Sequence, residues 1–192
     1  MALPQYLMTP GRPASDSWIE DDLPTNQALG QVYFDGTGRK LRLCKMANTA
    51  RLTGTAFIAG DAVMWADGDE YEVTDQRASA INPAASANIY IAAGVCEGAF
   101  TGGASDSSTV AVCILLVIDG PATCNTIGGA NIVDGALVMH GLNDLAQVAN
   151  YGSYPGARSE YDWMNLIYGI VGHATADEAA SAVTVWVKPS AY

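Results

Sequence analysis

From Gly30 onward the apolar positions fall into short runs, often alternating with polar ones and parted by Gly, Asp, Asn and Pro, the pattern of β-strands joined by tight turns. Gln31-Val32-Tyr33-Phe34 runs into the turn dipeptide Asp35-Gly36. Arg39-Lys40-Leu41-Arg42-Leu43-Cys44-Lys45 alternates after it, which predicts a hairpin. In its second strand Leu41 and Leu43 face one side while Lys40, Arg42 and Cys44 face the other, expected to be an exposed strand face. Ala62-Val63-Met64-Trp65, the turn at Asp67-Gly68 and the run Glu70 to Thr74 predict a second hairpin. Ile89 to Val95 and Val110 to Ile118 are continuous apolar runs of strand length, predicted to be buried on both faces. The small polar tract Gly102 to Ser108 between them reads as a loop. Later strands are predicted at Ala136 to Met139, Leu166 to Val171 and Val183 to Val187. Helix is scarce. Thr175-Ala176-Asp177-Glu178 matches a capping box, although little helix-forming sequence follows it, and Asn143 to Ala149 has room for a turn or two. These elements predict an all-β fold over residues 29–192: a compact, mostly antiparallel β-barrel or sandwich.

Residues 1–28 break the pattern. Prolines at positions 4, 10, 13 and 24 remove backbone donors and fix φ, so the segment reads as an extended N-terminal arm. Stretched out, it reaches about 90 Å at ~3.3 Å per residue. Tyr6, Leu7, Met8, Trp18 and Ile19 are apolar anchors that a solvated tail does not need; they predict contact with a neighbouring molecule, or a tail folded back on its own body.

Composition narrows the class. The 192 residues are 49% hydrophobic and 15% charged, apolar enough for a packed core and excluding a mostly disordered chain. No apolar run approaches the roughly 20 residues of a membrane helix, and the first residues have no basic or apolar signal-peptide region, so a soluble, unexported protein is expected. Cys44, Cys96, Cys113 and Cys124 form no C-x-x-C pair and are expected to be buried thiols, with Cys113 and Cys124 the pair to watch for a disulfide. The net charge of −11 argues against nucleic-acid binding by the whole surface. Its distribution is uneven: six of the nine Lys and Arg precede position 52, and Arg39, Lys40, Arg42, Lys45 and Arg51 form a basic strip with no acid between Gly36 and Arg51. The strip predicts either a docking site for an acidic partner or a solvated strand face.

Motifs of enzymes are missing. The chain has no G-x-S-x-G, P-loop, H-E-x-x-H or dinucleotide fingerprint. Its two histidines, His140 and His173, have no carboxylate or cysteine at ligand spacing and read as polar strand-end residues. The acidic stretch Asp67 to Asp75 fails as an EF-hand loop, since Tyr71 and Glu72 stand where an oxygen ligand and a glycine are required. Tyr151, Tyr154, Tyr161, Trp163 and Tyr168 are dense enough for a contact surface or a sugar platform, or else serve packing. The expectation is a protein without catalytic residues, cofactor or metal.

The succession of motifs resembles the capsid decoration, or cement, proteins of tailed bacteriophages. The resemblance runs from an N-terminal arm through Leu29 to Tyr33, the basic strand Lys40 to Lys45, the step Gly60-Asp61-Ala62-Val63 and the run Ala93-Gly94-Val95-Cys96-Glu97-Gly98. It continues through Ile118-Asp119-Gly120-Pro121-Ala122, read as a strand entering a turn, then Asp134-Gly135, Ile170 to Ala174 and Val183 to Val187. Such a family implies a noncatalytic β body, commonly a homotrimer, made in the host cytoplasm and placed on the outer surface of the virion. There it bridges subunits of the major capsid protein, with the arm and the basic strip as the expected contacts. The alternative is a receptor- or carbohydrate-binding β module of a phage tail or spike.

Overall fold

The structure, a computed structural model, describes residues 18–19, 28–46, 58–66, 71–74, 91–98, 112–127, 131–140, 147–151 and 168–189. Within them the chain is all-β. Strands β2 (Val32–Phe34) and β3 (Lys40–Met46) form the first predicted hairpin, with Val32 opposite Arg42 and Phe34 opposite Lys40. The Asp35 side chain shapes its turn, Oδ1 accepting from the Thr37 N–H at 2.8 Å and the Arg39 N–H at 3.0 Å. Strands β4 (Ala62–Trp65) and β5 (Glu72–Thr74) form the second hairpin, with Trp65 opposite Val73.

These strands close a barrel. β5 pairs parallel with the end of β3; β4 pairs β6 (Ala92–Cys96); β6 pairs β7 (Val112–Asn125); and β7 returns to β3 with Leu43 opposite Leu115. The cycle β3-β5-β4-β6-β7 thus has five strands and no open edge within it. Side-chain alternation along β7 separates two cores. Ile114 and Leu116 join Cys44, Met46, Val63, Trp65, Val73, Ala93 and Cys96, a cluster to which all five strands contribute and which fills the barrel. Cys113, Leu115 and Val117 point the other way.

β7 does not stop where the sequence reading ended its strand. It continues without a turn through Asp119-Gly120-Pro121, and its second half joins another sheet, β7-β11-β10-β8-β9, made with β8 (Leu137–His140), β9 (Val148–Asn150), β10 (Ile170–Ala174) and β11 (Ala182–Val187). Two features let the strand pass. Gly120 has φ +119°, and a Cβ there would stand 2.8 Å from Arg39 Cγ, so a side chain is excluded. Pro121 lacks an N–H, but the Thr126 N–H points toward β11 and the Asn125 N–H points away from it, to Gly60 O. By the period of two, the nitrogen of residue 121 also faces away, and no bond to β11 is lost. The inner face of this sheet, with Val138, Val171, Val183, Val185 and Val187, packs on the outer side of the barrel at Leu41, Leu43, Ala62, Val95, Leu115 and Val117.

The joint between the layers is Asp61, 2% exposed in front of β4. Its Oδ2 accepts from the Ile58 N–H at 3.0 Å and its Oδ1 from Asn125 Nδ2 at 3.0 Å, tying the loop before β4 to the end of β7. Gly60, at φ +89°, makes the turn and accepts the Asn125 N–H at 2.9 Å.

The two places where the sequence left room for a helical turn are a turn and a strand. The capping-box segment is a turn: Ala180 and Ser181 both have positive φ, and Ala179 and Ala182 exchange two backbone hydrogen bonds of 2.9 and 3.0 Å, a type I′ geometry leading into β11. Glu178, instead of capping a helix, accepts from Thr126 Oγ1 and from the Ile132 N–H. Residues 148–149, the end of the segment read as having room for a turn or two, lie in strand β9 beside β8.

Trp18–Ile19 form β1, paired antiparallel with Cys113 and Val112 of the same chain. β3 already holds one edge of β7 at Cys113, opposite Lys45. β1 therefore occupies the other edge, which β6 holds at Leu116 and Val117 and then leaves. For these two residues the folded-back alternative of the sequence reading is the one observed. The rest of the arm up to residue 27 lies outside the described residues.

Candidate functional site

In β11 the alternation Val183-Thr184-Val185-Trp186-Val187 sends the valines into the core and Thr184 and Trp186 outward. The register assembles a row on that outer face. Leu137 of β8 lies opposite His173 of β10, His173 opposite Trp186 of β11, and Trp186 opposite Pro121 of β7. All four are exposed; Leu137 and Trp186 keep 45% and 43% of their surface in solvent, although the inner face of the same strands is sealed. A Leu-His-Trp-Pro row one residue deep across four strands is an apolar contact surface on a rigid support.

Its Trp186 end carries charge. The Trp186 side chain donates a hydrogen bond to Asp119, which also accepts from Lys40 Nζ at 2.8 Å and lies within electrostatic reach of Lys188. The hydrogen bond from Lys40 holds the Asp119 carboxyl below the usual carboxylate range. Lys188 itself is exposed.

The predicted basic strip is not one free surface. Arg39 forks onto Glu97 through Nη1–Oε2 at 2.9 Å and Nη2–Oε1 at 2.6 Å, while its Nε meets Asp35 Oδ2 at 2.6 Å. Lys40 is paired to Asp119. Arg42 turns to the barrel side of β3, its guanidinium 5.9 Å from the centre of the Trp65 ring, and its Nε is buried with no hydrogen-bond partner. Cys44, two residues on, is completely buried. From Arg42 onward the face expected to meet solvent meets the barrel interior, because β3 is closed on both edges, by β5 and β7, an arrangement that strand alternation cannot reveal. Lys40, before the register shift, stays partly exposed. Lys45 is half-buried opposite Cys113 and Glu72. Arg51 lies outside the described residues, as do Tyr6, Leu7 and Met8; Trp18 and Ile19 are β1.

The cysteines are buried thiols, as expected, and Cys113 and Cys124 are not bridged. Burial pushes the Cys124 thiol up to about 12 and raises that of Cys44 further. His140 ends β8 but is fully buried, whereas His173 sits in the exposed row. Among the described residues no three His, Cys, Asp or Glu side chains converge to hold a metal ion. Of the Tyr-rich segment, Tyr151 is half-buried and Tyr168 exposed; Tyr154, Tyr161 and Trp163 lie outside the described residues.

Compared with models of protein families, with curated proteins and with solved structures, the chain finds no match in any of the three.

Proposed function

We propose that the chain is a noncatalytic structural protein that attaches, as a homotrimer, to the outside of a tailed-phage head and stabilises the shell by bridging subunits of the major capsid protein. The observation that carries the reading is the exposed Leu137–His173–Trp186–Pro121 row on a sheet whose other face is packed. Such a surface is suited to docking on a large partner, where many modest contacts repeated by symmetry add up. Two of the ordered motifs of the resemblance lend support by falling on joints of this fold. Gly60-Asp61 is the turn before β4 and Asp134-Gly135 the turn before β8, while Gly120-Pro121, read as a turn, lies inside β7 and departs from the pattern.

Electron microscopy of assembled heads tests the reading: density for this chain on the outer surface is expected, and a complete shell without it overturns the proposal. Deleting residues 1–16, which leaves β1 in place, is expected to weaken attachment while the circular dichroism spectrum stays that of the intact body. The exposed Trp186 also favours a second reading, a receptor- or carbohydrate-binding module of a tail or spike. Glycan binding lost in Trp186→Ala would select it.

A further inference from the structure

The geometry points to the Leu137–His173–Trp186–Pro121 row as the docking site for a short extended segment of the shell protein, apolar along its length and ending in a carboxylate over Lys188. This inference rests on the shell-binding reading and names the surface and the partner chemistry. The size argument comes first. Four strands at ~4.8 Å spacing make a row about 14 Å long, the span of four or five extended residues at ~3.4 Å each. The row offers on the order of 300 Å², against the roughly 800 Å² that each partner of a stable interface buries. It is too small to hold two copies of this chain together and the right size for one extended segment.

Charge sets the direction of that segment. Residues 52–192 contain three cations against fifteen acids, and Lys188 is one of the three. At the Trp186 end, Asp119 pairs with Lys40, and Arg39 beside Gly120 pairs with Asp35 and Glu97. Lys188, exposed and in no salt bridge among the described residues, is therefore the cation a partner can reach on a body that is otherwise strongly acidic. A partner carboxylate is attracted there and repelled elsewhere, which favours one orientation over its reverse. Trp186, an inner member of the row with a hydrogen bond to Asp119, is the anchor, since a large aromatic inside a contact carries much of its energy. A sugar fits less well. Leu137 and Pro121 offer no side-chain hydrogen-bonding group to hydroxyls, and among the described residues the carboxylate beside the row, Asp119, is already shared by Lys40 and Trp186.

The test is co-sedimentation of the full chain with isolated shells, together with binding of overlapping twelve-residue peptides that span the shell protein. Trp186→Ser is expected to lower shell affinity tenfold or more. Lys188→Glu, at an exposed position that leaves the core untouched, is expected to lower it severalfold in low salt and much less in high salt. A peptide with four or five apolar residues before an acid is expected to bind the wild type and to lose Trp186→Ser. Thermal melts establish that both variants are folded; if Trp186→Ser is not, Lys188→Glu and the peptide panel decide. Wild-type and variant chains sedimenting equally overturn the docking site and leave the shell reading standing. A wild type that ignores shells overturns that reading and this inference with it. Glycan binding that depends on Trp186 overturns the peptide assignment in favour of a sugar.

Discussion

Arg39 and Glu97, 58 residues apart, meet through two parallel hydrogen bonds of 2.9 and 2.6 Å, and the third side of the guanidinium holds Asp35 at 2.6 Å. The pair pins the turn of the β2–β3 hairpin to the exit of β6, beside the point where β7 crosses between sheets. Planar fork geometry makes such a contact specific to arginine. Glu97→Ala is expected to cost about 1–3 kcal/mol in urea unfolding, from the lost charge-assisted bonds and an Arg39 left half-buried. Arg39→Lys is expected to recover less than half of what Arg39→Ala loses.

Acid weakens the same network. Burial alone would raise the Asp35 carboxyl, but hydrogen bonds from Thr37 and Arg39 overcome it and bring it down to about 2. A carboxyl depressed in the folded state stabilises above its unfolded value near 3.9, and that stabilisation disappears as pH falls toward 2. Stability followed by denaturant titration between pH 5 and 2 is expected to fall, and the slope to be shallower in Asp35→Asn.

Gly120→Ala places a Cβ against Arg39 at a backbone angle that L-residues avoid. A loss of about 2 kcal/mol or more is expected, since steric contact adds to the ~1 kcal/mol of left-handed strain. Gly38→Ala separates the two contributions: φ is +88°, but nothing stands within 4 Å of a Cβ there, so only the strain is expected. Equal losses in the two variants would show that the Arg39 contact has no weight.

The turn at Ala180-Ser181 holds two non-glycine residues at φ 50° and 62°. Replacing them with Asn-Gly, the pair preferred in type I′ turns, is expected to add about 0.5–1 kcal/mol, read as a higher melting temperature. An unchanged or lower melting temperature contradicts the turn assignment.

Cys44 and Cys124 are both buried with raised thiol pKa values, so neither supplies thiolate at neutral pH. Native protein is expected to leave them unmodified by an aromatic disulfide reagent over hours, with full reaction after unfolding in guanidinium. Fast modification of either in the native state would contradict the packing of its core.

Much of this architecture is legible in the chain. Both hairpins were readable from their alternation and turn dipeptides, and β11 from Val183 to Val187. The remainder depends on distant partners. Barrel closure is a β3–β7 contact across about seventy positions of sequence, which no local period encodes, so Arg42 and Cys44 read as a solvated face. Gly120-Pro121 has the composition of a turn, and the strand passes through it because the nitrogen of residue 121 points away from β11. The capping-box pattern lost to a tertiary partner, as Glu178 is drawn to Thr126 and Ile132. The outward direction of Trp186 is encoded in its own strand. Its neighbours Leu137, His173 and Pro121 come from three other strands, and only the register brings them side by side.

Because one unbroken strand belongs to both sheets, force reaches the barrel along covalent backbone as well as across the packed interface. A tug on the outer sheet slides β7 lengthwise against β3 and β11, loading their hydrogen bonds together in shear and not one at a time. The fold is therefore built to resist pulling along β7 far better than peeling at β9, an anisotropy that single-molecule stretching from different attachment points would reveal.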